Sequence, residues 1–195
     1  MAGTDELREL LAGPALEVAP LLLGAVLRHG EVAVRLTEVE AYAGPDDPGS
    51  HAYRGRTPRN ATMFGPPGHL YCYFTYGMHV CSNVVCGPEE QASAVLVRAG
   101  EVVEGIEVAR SRRPGAADRD LARGPARLCR ALGIELAHDG VDLTVSGELS
   151  LTVSEPVAEC STGPRVGLRG APERPWRFWV PGERSVSAYR PAKPR

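Results

Sequence analysis

The sequence predicts an α+β fold in one domain spanning residues 1–195, built on a mostly antiparallel sheet with short helices around it. Three observations support this. Apolar runs of strand length recur and are bounded by turn residues. The helical patterns are short and cut by proline and glycine. No repeat, low-complexity tail or linker divides the chain.

In order, Thr4 with Asp5 and Glu6 opens a helix that places Leu7, Leu10 and Leu11 on one face. Pro14 and Pro20 break this region into short helical pieces. "VLRHGEVAVRLTEVEAY" reads as a hairpin turning at His29-Gly30. "AGPDDPGSHAYRGRTPRNATMFGPPG" is rich in proline, glycine and small polar residues, and is a long loop of the functional kind. "HLYCYFTYGMHVCSNVVC" is strand-like and broken at Gly77, and "SAVLVRAG" is another strand. "EVVEGIEVARSRR" reads as a helix with Val102, Val103 and Ile106 inward. "GPARLCRAL" has proline at its first helical position and Gly133 as its stop. "VDLTVSGELSLTV" reads as a hairpin, "WRFWV" as a late strand, and "RPAKPR" as a disordered end.

The start, "MAGTDELREL", is acidic with no basic signal region, and the run "APLLLGAVL" is too short to span a bilayer. A cytoplasmic protein with no membrane partner is expected. Five cysteines with no CxxC pair fit free thiols better than a disulfide framework. His69, Cys72, His79, Cys81 and Cys86 have spacings unlike zinc ligand sets, so no metal and no cofactor is expected. The net charge of −2 hides an asymmetry: residues 1–50 are acidic, while 109–130 and 165–195 are strongly basic. Clustered arginine suits a polyanion, although 21 arginines against a single lysine, Lys193, also reflect a compositional bias.

Four features bear on chemistry. Glu38 and Glu40 fall in step with Val32, Val34 and Leu36, so an unbroken strand aims two acids at the valine side. They are either solvated strand-end charges or a general base where the strand meets a pocket. Tyr71 and Tyr73 share a strand face, and Tyr76 follows where the chain can turn. Such tyrosines either pack in a core or stack on a planar ligand. Arg54, Arg56 and Arg59 form either a solvated basic loop or a phosphate-gripping one. The near absence of lysine argues against a Schiff-base nucleophile. There is no G-x-S-x-G elbow, P-loop or HExxH.

The segment "EVEAYAGPDDPGSHAYRGRTPRNATMFGPPGHLYCYFTYGMHVCSNVV", with "SAVLVRA", "RGPARLCRALGI" and "PRVGLRGAPERPWRFWV", resembles the alkyladenine (methylpurine) DNA glycosylases of bacterial type. The likeness runs over nearly the whole chain. It implies that family's curved sheet and a monomeric, monofunctional glycosylase of base excision repair, without lyase activity. Such an enzyme flips alkylated or deaminated purines from double-stranded DNA and hydrolyses the N-glycosidic bond. By the same matching, Glu40 activates the water, and Glu38 has no catalytic role. Tyr42, His51 and Tyr73 contact the flipped base, and Asn83 excludes normal guanine. Tyr76 is the wedge, flanked by Met78 and His79, and Arg98 faces the DNA backbone. The rivals are a non-catalytic damage-binding protein of the same fold and a glycoside hydrolase pairing Asp46 or Asp47 with Glu40.

Overall fold

Eight strands pair antiparallel throughout in a computed structural model that describes residues 4–75 and 77–193. They are β1 (Val26–His29), β2 (Val32–Tyr42), β3 (Leu70–Thr75), β4 (His79–Val85), β5 (Ala94–Glu104), β6 (Leu149–Thr152), β7 (Ser161–Gly163) and β8 (Arg177–Trp179). The main path runs β3-β4-β5-β2-β1-β6, and β8 joins β2 beyond the end of β1 and carries β7. The helices are α1 (Thr4–Leu11), α2 (Ala15–Leu21), α3 (Ile106–Arg112) and α4 (Pro125–Leu132). The result is the expected α+β domain, a curled antiparallel sheet with short helices.

One core lies between the sheet and the helices. From α1 it takes Leu7 and Leu11, from α2 Val18 and Ala19, and from α4 Leu128 and Leu132. Each such leucine contributes about 1.5–3 kcal/mol on burial. α4 follows its sequence signals closely: Pro125 opens it, and Gly133 ends it in a left-handed conformation at φ 76°. Pro20 lies inside α2, so only Pro14 separates two helices.

The most consequential departure from expectation is in β2. Its pairing with β5 shifts register between Leu36 and Glu38 and again between Glu38 and Val39. Val32, Val34 and Leu36 face the core, but beyond the shift the core residues are Val39 and Ala41. Glu38, Glu40 and Tyr42 therefore take the opposite face. An irregularity of this kind re-aims side chains beside a site. The acids are not among the valines at all.

Three smaller differences have local causes. Residues 101–104, expected to be helical, extend β5, and strand alternation then buries Val102 and exposes Val103. Gly105, at φ 68°, lets the chain turn into α3. In "VDLTVSGELSLTV" only Leu149–Thr152 is a strand, and it pairs with β1. The first arm is held elsewhere: Asp142 bridges His69 and binds Arg8 and Thr144, and the Leu143 N–H donates to Gly68. The first hairpin turns at Gly30-Glu31, one residue later than expected. At the C-terminus, expected to be disordered, Arg190 O accepts from the Gly167 N–H and Lys193 O from Arg169.

Candidate active site

The pocket face of the sheet is assembled from the far half of β2, the middle of β5 and the β3–β4 hairpin. A cavity of about 660 Å³ opens there. Of the expected site residues, Tyr42, His51, Tyr73, His79, Asn83 and Arg98 all line it. Gly44 starts the loop behind it. A Cβ at that position, where φ is 60°, would lie 1.9 Å from Ala92 O.

Glu40 has no exposed surface. Its Oε1 accepts from the Val166 N–H at 2.7 Å, and its Oε2 accepts from the Tyr42 hydroxyl at 2.8 Å. Arg98 Nη1 approaches Oε1 at 3.3 Å. Desolvation and then the Glu40 charge push the Tyr42 phenol well above its ordinary pKa, so it stays a donor.

Arg98, expected to face DNA, is 6% exposed and held chiefly by protein. Its Nε donates to Glu38 Oε1 at 2.8 Å. The same oxygen accepts from Arg177 Nε at 2.7 Å and from Ser187 Oγ at 2.9 Å, while Oε2 accepts from the Ser187 N–H at 2.6 Å. Burial alone would raise the Glu38 pKa, but Arg98, then Arg177 and the Ser187 amide, outweigh it and hold the carboxyl below its ordinary value. Burial likewise opposes the Arg98 charge, and Glu40 followed by Glu38 overcomes it. Two acids and two arginines thus form one balanced buried cluster.

The aromatic wall opposite is tightly interlocked. His51 and Tyr73 meet edge to face with centroids 4.4 Å apart, and Tyr73 stacks on Tyr71 at 5.6 Å. His51 Nδ1 lies 3.1 Å from the Tyr71 hydroxyl. His51 and Tyr73 therefore form one continuous aromatic surface in a cavity that Tyr42 also lines. The imidazole is solvent-accessible, yet partial desolvation and then the Arg59 charge keep its pKa below the ordinary value. Burial pushes the Tyr71 phenol up to about 12. Asn83 is buried, with Nδ2 donating to Tyr71 O at 3.2 Å.

The remaining predicted residues lie around the mouth or apart from it. Met78 is 72% exposed beside the hairpin turn, next to the exposed His79. Tyr76 lies outside the described residues. In the loop, Arg56 pairs with Glu90 and lies over Phe64, and Arg59 donates to Phe74 O. Arg54 is exposed.

Several residues that sequence reasoning did not single out are prominent. Arg123, Arg127 and Arg190 line the cavity, and they fall in the two basic stretches that the charge asymmetry marks. Arg165 and Asp47 form a fully buried two-point ion pair at 2.5 and 2.7 Å. Arg165 also donates to Ala41 O and places its guanidinium carbon 4.6 Å from the Tyr42 centroid and 5.0 Å from that of Trp176. With Asp47 committed to Arg165 and Asp46 exposed, neither aspartate is presented as the second acid of a glycoside hydrolase. Four of the five cysteines are buried free thiols, while Cys160 is exposed.

A buried carboxylate at one side of a cavity lined by aromatic residues, with arginines around the opening, is the class of site that the fold builds here. Comparison with known proteins gives that class a family. The methylpurine-DNA glycosylase (MPG) family profile matches residues 9–184. A protein of Streptomyces avermitilis, provisionally named a 3-methyladenine DNA glycosylase, is 55% identical over 96% of this chain and 93% of its own. Relatives with the same provisional name in Leifsonia xyli and Frankia casuarinae are 57% and 52% identical, covering 94% and 92% of this chain and 92% and 91% of theirs. The chain belongs to the methylpurine-DNA glycosylase family, and DNA glycosylase action in repair of damaged DNA is the activity that membership supports. Among the described residues, no helix is long and apolar enough to cross a membrane.

Proposed function

We propose that this protein is a monofunctional glycosylase that flips alkylated or deaminated purines out of duplex DNA and hydrolyses their N-glycosidic bond with a water activated by Glu40. The lesions are those of the 3-methyladenine, 7-methylguanine, hypoxanthine and ethenoadenine class. The observation that carries the reading is the hydrogen bonding of the Glu40 carboxylate. An ionised carboxylate offers about four acceptor sites. Among the described residues, Oε2 accepts only the Tyr42 hydroxyl, so it keeps an unused acceptor site for a water, while Oε1 is anchored by Val166. The carboxylate is buried beside the cavity that Tyr42 lines, and a positioned general base is worth about 10²–10⁴ in rate.

The flipped base fits between Tyr42 and the wall made by His51 and Tyr73, and a cationic N-alkylpurine gains cation–π attraction there beyond stacking. Asn83 presents its amide to the base edge and crowds the exocyclic amine of guanine. Tyr76 fills the vacated stack, flanked by Met78 and His79. Arg54, with Arg127 and Arg190 at the cavity rim, meets phosphates, and Arg98 acts from behind Glu40. Lys193, the single lysine in the sequence, does not line the cavity, in keeping with hydrolysis and no lyase step. The protein works as a monomer on the nucleoid in the cytoplasm.

The test is to incubate lesion-bearing duplex with the protein and follow free base by chromatography and strand breaks on a gel. Free base with breaks only after alkali is the expected result. Breaks without alkali would overturn the monofunctional reading, and absence of free base the glycosylase reading.

A further inference from the structure

The second carboxylate of the strand, Glu38, has no part in the chemistry above, yet it is the more heavily bonded of the two. Its Oε1 accepts from Arg98, Arg177 and the Ser187 hydroxyl, and its Oε2 accepts from the Ser187 amide. The register shifts in β2 put Glu38 and Glu40 on one face two residues apart, with Arg98 of β5 between them. Arg98 divides itself unequally. It makes a 2.8 Å hydrogen bond to Glu38 through Nε but only a 3.3 Å approach to Glu40 through Nη1. A guanidinium and a carboxylate left alone prefer the two-point fork, the strongest pairing open to them.

We propose that Glu38 is a positioning residue: it holds Arg98 back from closing a two-point fork on Glu40, and so keeps Glu40 Oε2 open to the attacking water. This deepens the glycosylase reading and rests on it. Released from Glu38, the Arg98 guanidinium swings onto both oxygens of Glu40 and covers the one that the water needs. The groups facing Glu40 are Tyr42 on its own strand, Arg98 on β5, the Tyr73 phenol and Cys81 thiol on the β3–β4 hairpin, and the Val166 amide. Among the described residues, Arg98 is the only cation bonded to Glu40, so a change at Glu38 reaches the Glu40 charge through Arg98.

The experiment measures base release from hypoxanthine-bearing duplex in a single turnover at saturating enzyme, for wild type, Glu38→Gln and Glu38→Asp. The plateau rate counts only assembled complexes, so a merely structural loss changes the enzyme needed to reach it and not the rate itself. Glu38→Gln is expected to lower the plateau about 10–100-fold, as a small misplacement beside the chemistry does. Affinity for the lesion duplex should stay within about threefold. Glu38→Asp, which keeps the charge but withdraws it from Arg98, should fall in between and serves alone if the glutamine variant does not fold. A wild-type plateau in a folded variant overturns the proposal. Absence of release by wild type, or undiminished release by Glu40→Gln, is a separate outcome that removes the Glu40 reading and this proposal with it.

Discussion

Arg165 sets its guanidinium carbon 4.6 Å from the Tyr42 ring centroid and is fixed there by a buried two-point ion pair with Asp47. Tyr42 thus has protein support at its ring and its hydroxyl bound to Glu40. The next residue after Arg165, Val166, donates its amide to the same carboxylate. One buried pair therefore braces both the stacking surface and the proposed base.

Asp47→Asn should destabilise the protein by about 3–5 kcal/mol, because it leaves the Arg165 charge buried without its partner. Arg165→Met replaces the cation with an apolar chain of similar length, but strands Asp47 in the same way. Both should lower the melting temperature and weaken lesion binding as Tyr42 loses its support. Calorimetry and a binding titration check this, and an unchanged melting temperature would contradict it.

Asn83→Ser should admit normal guanine. The amide is oriented by its bond to Tyr71 O, and a shorter side chain removes it from the base edge. Release of guanine from undamaged duplex should become measurable, while hypoxanthine release falls by less than about tenfold. Unchanged discrimination would assign the gate to another residue.

Glu38 links the cluster to pH. Its folded pKa is lowered, so its stabilisation is complete above the unfolded carboxyl value of about 4.3 and is lost as pH falls through the folded value. The stability gap between wild type and Glu38→Gln should be full at pH 7 and narrow below about pH 4. Urea unfolding at several pH values measures it. A gap independent of pH would contradict the assignment.

Arg127→Ala and Arg190→Ala should each weaken lesion and undamaged duplex alike, and each should reduce the slope of log affinity against log salt by about one. Arg56→Ala should change neither by much, since Arg56 already pairs with Glu90 and Phe64. A reversed ranking would place the phosphate track over residues 52–60.

Much of this architecture was legible from local signals. Pro125 and Gly133 delimit α4 by their own backbone preferences, and the apolar run in 94–97 marks β5. Residues 101–104 fit either period, because two valines there adjoin a helical pattern. The long extension of β5 is decided by pairing with β2, which is non-local. The faces of Glu38 and Glu40 differ from strict strand alternation for a related reason. A register shift depends on the partner strand and leaves no mark in the sequence of β2. The Asp47–Arg165 pair joins residues 118 apart, beyond any spacing rule. Glu40, Tyr42, His51, Tyr73 and Asn83 were named from the family resemblance, and the fold brings them to one cavity or its edge.

The most direct measurement is single-turnover release of hypoxanthine and 3-methyladenine from duplex DNA by wild type and by Glu40→Gln, with lesion affinity measured on the same proteins. The account predicts release by wild type, a loss of about 10²-fold or more in the variant, and retained binding by both. Comparable release by both proteins would contradict the role of Glu40. Lesion binding without release by either would make this a damage-recognition protein.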